Sequence, residues 1–424
     1  MSRSMKHSGI EWIGEIPSDW EVSINKTILQ NVSVRNHPDA EVLSLYRDWG
    51  VVPKNSRDDN HNVTSEKTEQ YKFVEAGDLV INKMKAWQGS LAVSEYEGIV
   101  SPAYYVCKFK NEKMDKKYIH HLLRCCVYAQ QFECLSTGMR IGQWDLSIDD
   151  FLTSPLLMPS LKEQKRISDE IDKKCSEVDT LIANQQRQIE KLKQYMQSVI
   201  SEVMTKGLNP NVEMKNSEIE WIGEIPSHWS VSKVSNFYEI VLGKMLQPQP
   251  NDGDTLEQYL CAANVGGNKL NLNIVKEMWF SEKEKAIYKL KRGDLVVVEG
   301  GDVASSAIID FEPDNLYFQN ALHRARAIRG ETAFLRYWLI FAKGSGYFDI
   351  VCNKATIAHF TKDKFKALPM IYVSISEQKE IIKYLNEKCR KIDSLIAIKQ
   401  QKIEKLNQYK KSIIYEYVTG KKEA

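Results

Sequence analysis

Glu11-Trp-Ile-Gly-Glu-Ile-Pro-Ser18 returns unchanged as Glu220-Trp-Ile-Gly-Glu-Ile-Pro-Ser227, and each copy is followed one residue later by a tryptophan, Trp20 and Trp229. Eight identical residues 209 positions apart mark an internal duplication rather than chance. A second repeat closes each half, Ile189-Glu-Lys-Leu-Lys-Gln-Tyr195 matching Ile403-Glu-Lys-Leu-Asn-Gln-Tyr409 at a spacing of 214. A third lies between them, Gly77-Asp-Leu-Val80 and Gly293-Asp-Leu-Val296, which reads as a turn whose aspartate bonds local backbone before a buried strand. One module is used twice, and such a molecule invites a two-part ligand.

Each half ends in a helix. Ser160-Leu-Lys-Glu163 and Ser374-Ile-Ser-Glu377 fit the capping box, in which serine oxygen and glutamate carboxylate satisfy each other's backbone N–H groups. From there apolar residues recur in alternating steps of four and three. In the first copy the stripe runs through Ile171, Cys175, Val178, Ile182, Gln185, Ile189, Leu192 and Met196; in the second through Leu385, Cys389, Ile392, Ile396, Lys399, Ile403 and Leu406. A 3.5-residue period predicts two helices paired as a coiled coil, whereas a helix that only covers its own domain would show a wider stripe. Gln185 and Lys399 occupy the same seam position in the two copies and read as a register device. The first helix would be roughly 69 Å long at 1.5 Å per residue, comparable with about 20 base pairs of duplex.

The predicted organisation is a first mixed domain over 1–159, a helix over 160–206, a linker over 207–219, a second mixed domain over 220–373 and a second helix over 374–421. The fold class is α+β: two repeated mixed domains separated by the long helices. Strands are expected at Val42–Tyr46, Leu79–Asn82, Ala103–Phe109, Leu295–Glu299 and Ala304–Ile309, where β-branched and aromatic residues concentrate.

Composition narrows the function classes. With 43% hydrophobic and 27% charged residues the chain reads as an ordinary globular protein, without a run of about 20 apolar residues that would cross a membrane and without the apolar start of a secretory signal. A cytoplasmic setting is expected. The net charge is only +2, so a nucleic-acid surface must be a local patch. Eight cysteines without a Cys-x-x-Cys pair indicate neither a disulfide framework nor a zinc site. His121 and Cys125 share a helix face, but two groups fall short of the four that a structural zinc needs, so packing explains them better. The nucleotide-binding, hydrolase and metalloprotease signatures are all missing, as is the Asn/Asp-Pro-Pro-aromatic tetrad of amino-methyltransferases. Neither a catalytic residue nor a metal or cofactor on this chain is expected; a binding protein is.

Between the repeated anchors the two halves diverge, and there the residue types suited to nucleic acid collect. In the first half these are Arg47, Lys83, Lys85, Arg140 and Gln143. In the second they are Lys244, Gln247, Asn264, Asn268, Lys269, Gln319, Asn320, His323, Arg324, Arg326, Lys354 and Thr356. Arginine and lysine bond phosphates or guanine edges, and asparagine and glutamine pair with adenine. Taken singly each is an ordinary surface residue; their concentration in the unrepeated segments is the argument.

The tryptophan motifs and phased helices resemble the specificity subunit of type I restriction–modification systems. That family shows Trp-Ile-Gly-x-Ile-Pro-x-x-Trp at the start of each target-recognition domain, matched by Trp12 to Trp20 and Trp221 to Trp229. It also opens each helix with Pro-x-x-x-Glu-Gln, matched by Pro159-Ser-Leu-Lys-Glu-Gln164; the second copy, Val373-Ser-Ile-Ser-Glu-Gln378, lacks the proline. The resemblance spans the whole chain. It implies that each domain grips half of a split, asymmetric double-stranded DNA sequence and that the helices pack as an antiparallel coiled coil and set the spacing. It also implies docking of two methyltransferase subunits that methylate adenine, joined by restriction subunits, with S-adenosylmethionine, ATP and Mg held by those partners. A coiled-coil scaffold that joins proteins without touching DNA is the alternative.

Overall fold

A computed structural model of the chain describes residues 3–47, 49–56, 68–138, 144–352 and 359–424. It divides into two compact units, Met1–Gln186 with Gln400–Ala424, and Arg187–Lys399. Two long helices, α1 (Leu161–Lys206, 46 residues) and α2 (Ile375–Val418, 44 residues), are each divided between the units. Unit 1 holds the first part of α1 and the last part of α2; unit 2 holds the complementary parts.

Unit 1 is built on a four-stranded antiparallel sheet of β1 (Leu29–Val32), β2 (Leu79–Asn82), β3 (Leu91–Val93) and β4 (Tyr104–Phe109), in the order β1-β4-β2-β3. Every residue of β2 is buried, as expected for a central strand of apolar β-formers. Unit 2 repeats the order with β5 (Tyr238–Leu242), β6 (Leu295–Val298), β7 (Ser306–Ile308) and β8 (Leu322–Ala327), arranged β5-β8-β6-β7. The expected strands are found within one or two residues of the expected ends. Both Gly-Asp turns work as read: Gly77 and Gly293 take φ of 96° and 91°, and Asp78 and Asp294 accept from the Glu75 and Lys291 N–H groups at 2.9 and 2.7 Å.

The tryptophan motif proves to be a seat for a helix end. Met5–His7 pairs with Glu15–Pro17, and Met214–Asn216 pairs with Glu224–Pro226 in the same register; the latter first strand falls inside the stretch read as linker. Beneath each hairpin Trp20 and Trp229 are fully buried. In unit 1 the end of α2 lies on Trp20, where a Cβ on Gly420 would come within 3.1 Å of the indole and 2.4 Å of Pro17. In unit 2 the end of α1 lies on Trp229, with the same close approach at Gly207, 3.1 Å. Both glycines have positive φ, 70° and 72°, so glycine answers two demands at once.

The helix starts depart from the capping-box expectation. Glu163 and Glu377 each donate N–H to the Ser160 and Ser374 hydroxyls at 3.3 Å, which is half of the box. Their carboxylates turn to the tryptophan motif instead: Glu163 takes Arg3 at 2.5 Å, and Glu377 takes the Trp229 indole N–H at 3.1 Å. The adjacent glutamines are buried clamps. Gln164 accepts from the Asp115 N–H at 2.7 Å and donates to the Pro159 carbonyl at 2.8 Å; Gln378 accepts from the Glu331 N–H at 3.0 Å and donates to the Val373 carbonyl at 2.8 Å.

α1 and α2 pair antiparallel. In unit 1 Lys410 bonds Asp179 at 2.6 Å, and in unit 2 Lys399 donates to Gln188. Seam residues Ile171, Val178, Gln185, Ile189, Leu385, Ile392 and Ile403 are buried, and Ile182, Leu192, Met196, Ile396, Lys399 and Leu406 are half-buried. The same residues do a second job, because Ile171, Cys175 and Val178 belong to the core of unit 1, and Leu385 with Ile381 to that of unit 2. The helices therefore both pair and cap their domains.

Candidate nucleic-acid interface

In each unit the unrepeated loops gather at one end of the four-stranded sheet, because antiparallel strands deliver alternate connections to the same edge. In unit 1 this end holds the turn after β2. Asn82 Oδ1 accepts from the Met84 N–H at 3.2 Å and the Lys83 carbonyl accepts from the Leu146 N–H at 3.0 Å, so the Lys83-Met84-Lys85 tip is fixed at its base. Lys83 bonds Asp145 at 2.7 Å, which holds its ammonium above the usual lysine range. Lys85 and Arg47 are exposed, and the Arg47 carbonyl accepts from Arg124. Arg140 and Gln143 lie outside the described residues.

In unit 2 the structure separates the candidates into two groups. Lys244, Asn264, His323 and Arg324 are buried. Lys244 Nζ bonds Glu284 at 2.5 Å and the Trp279 carbonyl at 2.8 Å. Asn264 donates to the Asn271 and Ile274 carbonyls, both at 2.9 Å, and so shapes the loop that follows. His323 Nε2 donates to the Phe360 carbonyl at 2.7 Å while Nδ1 meets no partner, and burial pushes the ring down to about 4. Arg324 reaches Glu239 at 2.8 Å, and Arg326 grips Asp294 through two 2.7 Å bonds, which raise its guanidinium further. These side chains build the framework.

The second group stays near the surface around the β5–β8 end. Asn320 N–H donates to the Lys244 carbonyl at 2.7 Å, which places Gln319 and Asn320 beside Lys244-Met-Leu-Gln247. Gln247 donates to Asp254 at 2.7 Å. Asn268, at φ 58°, accepts from the Ser306 N–H at 3.3 Å, and the neighbouring Lys269 is exposed. Backbone strain collects here too: Ala304 and Ala321 have φ of 63° and 108°, a region that costs non-glycine residues about 1–3 kcal/mol and tends to mark functional loops. Lys354 and Thr356 lie outside the described residues.

Apolar side chains, absent from the candidates the sequence offers, share these loops. Met84, Met245, Leu246 and Ile274 are large, exposed and carried on these loops. The signal was an apolar residue standing between turn formers or charges, outside any helical or strand period.

Among the described residues no group of three or more histidine, cysteine or acidic side chains is placed to hold a metal ion. His121 bonds Asp172 on α1 at 2.9 Å instead, and burial pushes the Cys125 thiol up to about 12. No described helix is long and apolar enough to cross a membrane.

Comparison with known proteins agrees with this arrangement. Residues 226–408 match the type I restriction modification DNA specificity domain. The type I restriction enzyme MjaVIII specificity subunit of Methanocaldococcus jannaschii is 27% identical over 365 residues, covering 81% of this chain and 80% of that one. The EcoKI specificity subunit of Escherichia coli is 23% identical over 314 residues, 72% of this chain and 65% of its own. A solved chain, from work on complex assembly and conformational transition of a type I R-M system, has a TM-score of 0.68 at 14% identity, covering 96% of this chain and 99% of that one, and so shares the fold. With two tryptophan-seated helix ends, a repeated sheet order and these relatives, the chain is similar along most of its length to the DNA specificity subunits of type I restriction–modification systems.

Proposed function

We propose that the chain reads a split, asymmetric DNA sequence, one half through each compact unit. It delivers two adenine methyltransferase subunits, and with them restriction subunits, to that site; S-adenosylmethionine, ATP and Mg belong to those partners. The observation that carries this reading is a scaffold repeated down to sheet order and helix seats, with unlike side chains at the loop ends. Equal scaffolds with unequal tips suit two unequal half-sites. Phosphate contacts would supply much of the affinity, which would then fall steeply with salt.

The helices supply a second element of the reading. Leu181 and Tyr409 in unit 1, and Tyr195 and Leu395 in unit 2, are about half exposed, at 47%, 52%, 54% and 47%. All four flank the seam one residue before an a position, and the antiparallel register sets Leu181 across from Tyr409 and Tyr195 across from Leu395. The 214-residue repeat thus gives each unit one leucine–tyrosine pair, which suits one copy of the same partner per unit.

The test exchanges residues 21–158 for those of a relative, in the presence of the methyltransferase, and maps methylated adenines. A change confined to one half of the modified sequence is expected. An unchanged sequence would sink the reading in favour of a scaffold that does not touch DNA.

A further inference from the structure

Met245 and Leu246 are the most prominent apolar pair on the recognition end of unit 2, exposed at 74% and 56%. Scattered exposed apolar residues are normal and call for no account. These two differ because everything around them is fixed. Lys244 on their N-terminal side uses its N–H toward the Phe318 carbonyl at 3.2 Å, its carbonyl toward the Asn320 N–H at 2.7 Å, and its buried ammonium toward Glu284. Gly243 before it has no room for a side chain, since a Cβ would stand 2.3 Å from the Gln319 carbonyl. Gln247 on the other side donates to Asp254 and to the Gln249 carbonyl at 2.7 and 3.0 Å, and Pro248 and Pro250 restrict the chain beyond.

The flanking polar side chains, Lys244 and Gln247, are therefore occupied in holding the loop, and what the loop presents between them is two apolar side chains beside Gln319 and Asn320. In the major groove the one apolar base feature is the thymine 5-methyl group, which apolar side chains recognise by contact. We infer that Met245 and Leu246 are specificity-determining residues that contact thymine methyl groups in the half-site read by unit 2. This rests on the DNA-recognition reading and names how one half-site is read.

The experiment uses the full chain. Wild-type protein selects duplexes from a random pool, and the selected duplex is then titrated with uracil replacing thymine in one half-site at a time. Removing a contacted methyl group should weaken wild-type binding about fourfold per methyl, in one half-site only. The M245S/L246S variant should bind more weakly and lose that sensitivity, while M245L/L246M, which keeps apolar contact, should retain it. Circular dichroism checks that both variants fold. If wild type selects no sequence, DNA recognition itself fails and this inference with it. If it selects one but uracil costs nothing, or M245S/L246S keeps the uracil sensitivity, the inference fails and the DNA reading stands.

Discussion

The two units share a plan and differ in how they hold it. Unit 1 backs its Gly77-Asp78 turn with Asp78 bonded to backbone, and the lysine at the matching cross-strand place, Lys108, pairs with Glu75 instead. Unit 2 backs Gly293-Asp294 with a two-bond Arg326 clamp. At the helix seat the emphasis reverses: Glu163 engages Arg3 in unit 1, where the Trp20 indole N–H finds no partner, whereas Glu377 engages the Trp229 indole directly. The lesson is that the repeat conserves positions of contact more strictly than the chemistry of contact. Loop-end residues, which carry no such positional duty, are free to differ altogether.

The largest effect expected from breaking this comparison concerns the docking face. If the leucine–tyrosine pairs of the two units are equivalent, Leu181→Glu should cost one methyltransferase copy, Leu395→Glu the other, and the double variant both. Native mass spectrometry of the assembled complex reads this as stepwise loss from two partners to one to none. Loss of both copies from either single variant would show that the units do not act separately, and retention of both in the double variant would remove the helices from docking.

A sharper contrast lies in the two Gly-Asp turns. Asp294 is almost fully buried beneath Arg326, so Asp294→Asn leaves a guanidinium without its charge partner and should cost about 3 kcal/mol. Asp78 is also buried but bonds only backbone in this way, and Asp78→Asn should cost about 1 kcal/mol. Denaturant melts of the two variants measure the difference. Equal losses would mean that the arginine clamp adds nothing to unit 2.

Much of the framework was legible because it is local or periodic: the strands, the heptad stripe and the aspartate turns depend on neighbours a few residues away. What was not legible depends on partners far off in sequence. The Glu163 carboxylate satisfies a capping-box spacing yet goes to Arg3, 160 residues earlier. The first helix lies between the two domains in sequence and the second follows them, yet each is shared by both units: Ile413 joins the core that holds Ile171, and Val199 the core that holds Leu385. Among the site candidates, strand alternation conceals the outcome. Arg324 and Arg326 share a face of β8 that acidic partners cover, which a list of basic residues could not distinguish from a DNA-facing face.

His323 gives the smallest effect and a test specific to unit 2. Its ring is fully buried, donates from Nε2 and has no acceptor for a proton on Nδ1, so the folded state holds it neutral down to about 4 against an ordinary 6.5. The unfolded chain therefore binds the proton first as pH falls. The neutral ring is compatible with full stability above pH 6.5, and stability drains away between 6.5 and about 4, where the folded form finally takes the proton too. At pH 5.5 the loss should be about 1 kcal/mol. Thermal melts of wild type and His323→Gln from pH 7.5 to 5 check it: whatever constant offset glutamine introduces, its curve should lack this added fall. Parallel curves for the two proteins would mean that His323 does not contribute to the acid sensitivity of unit 2.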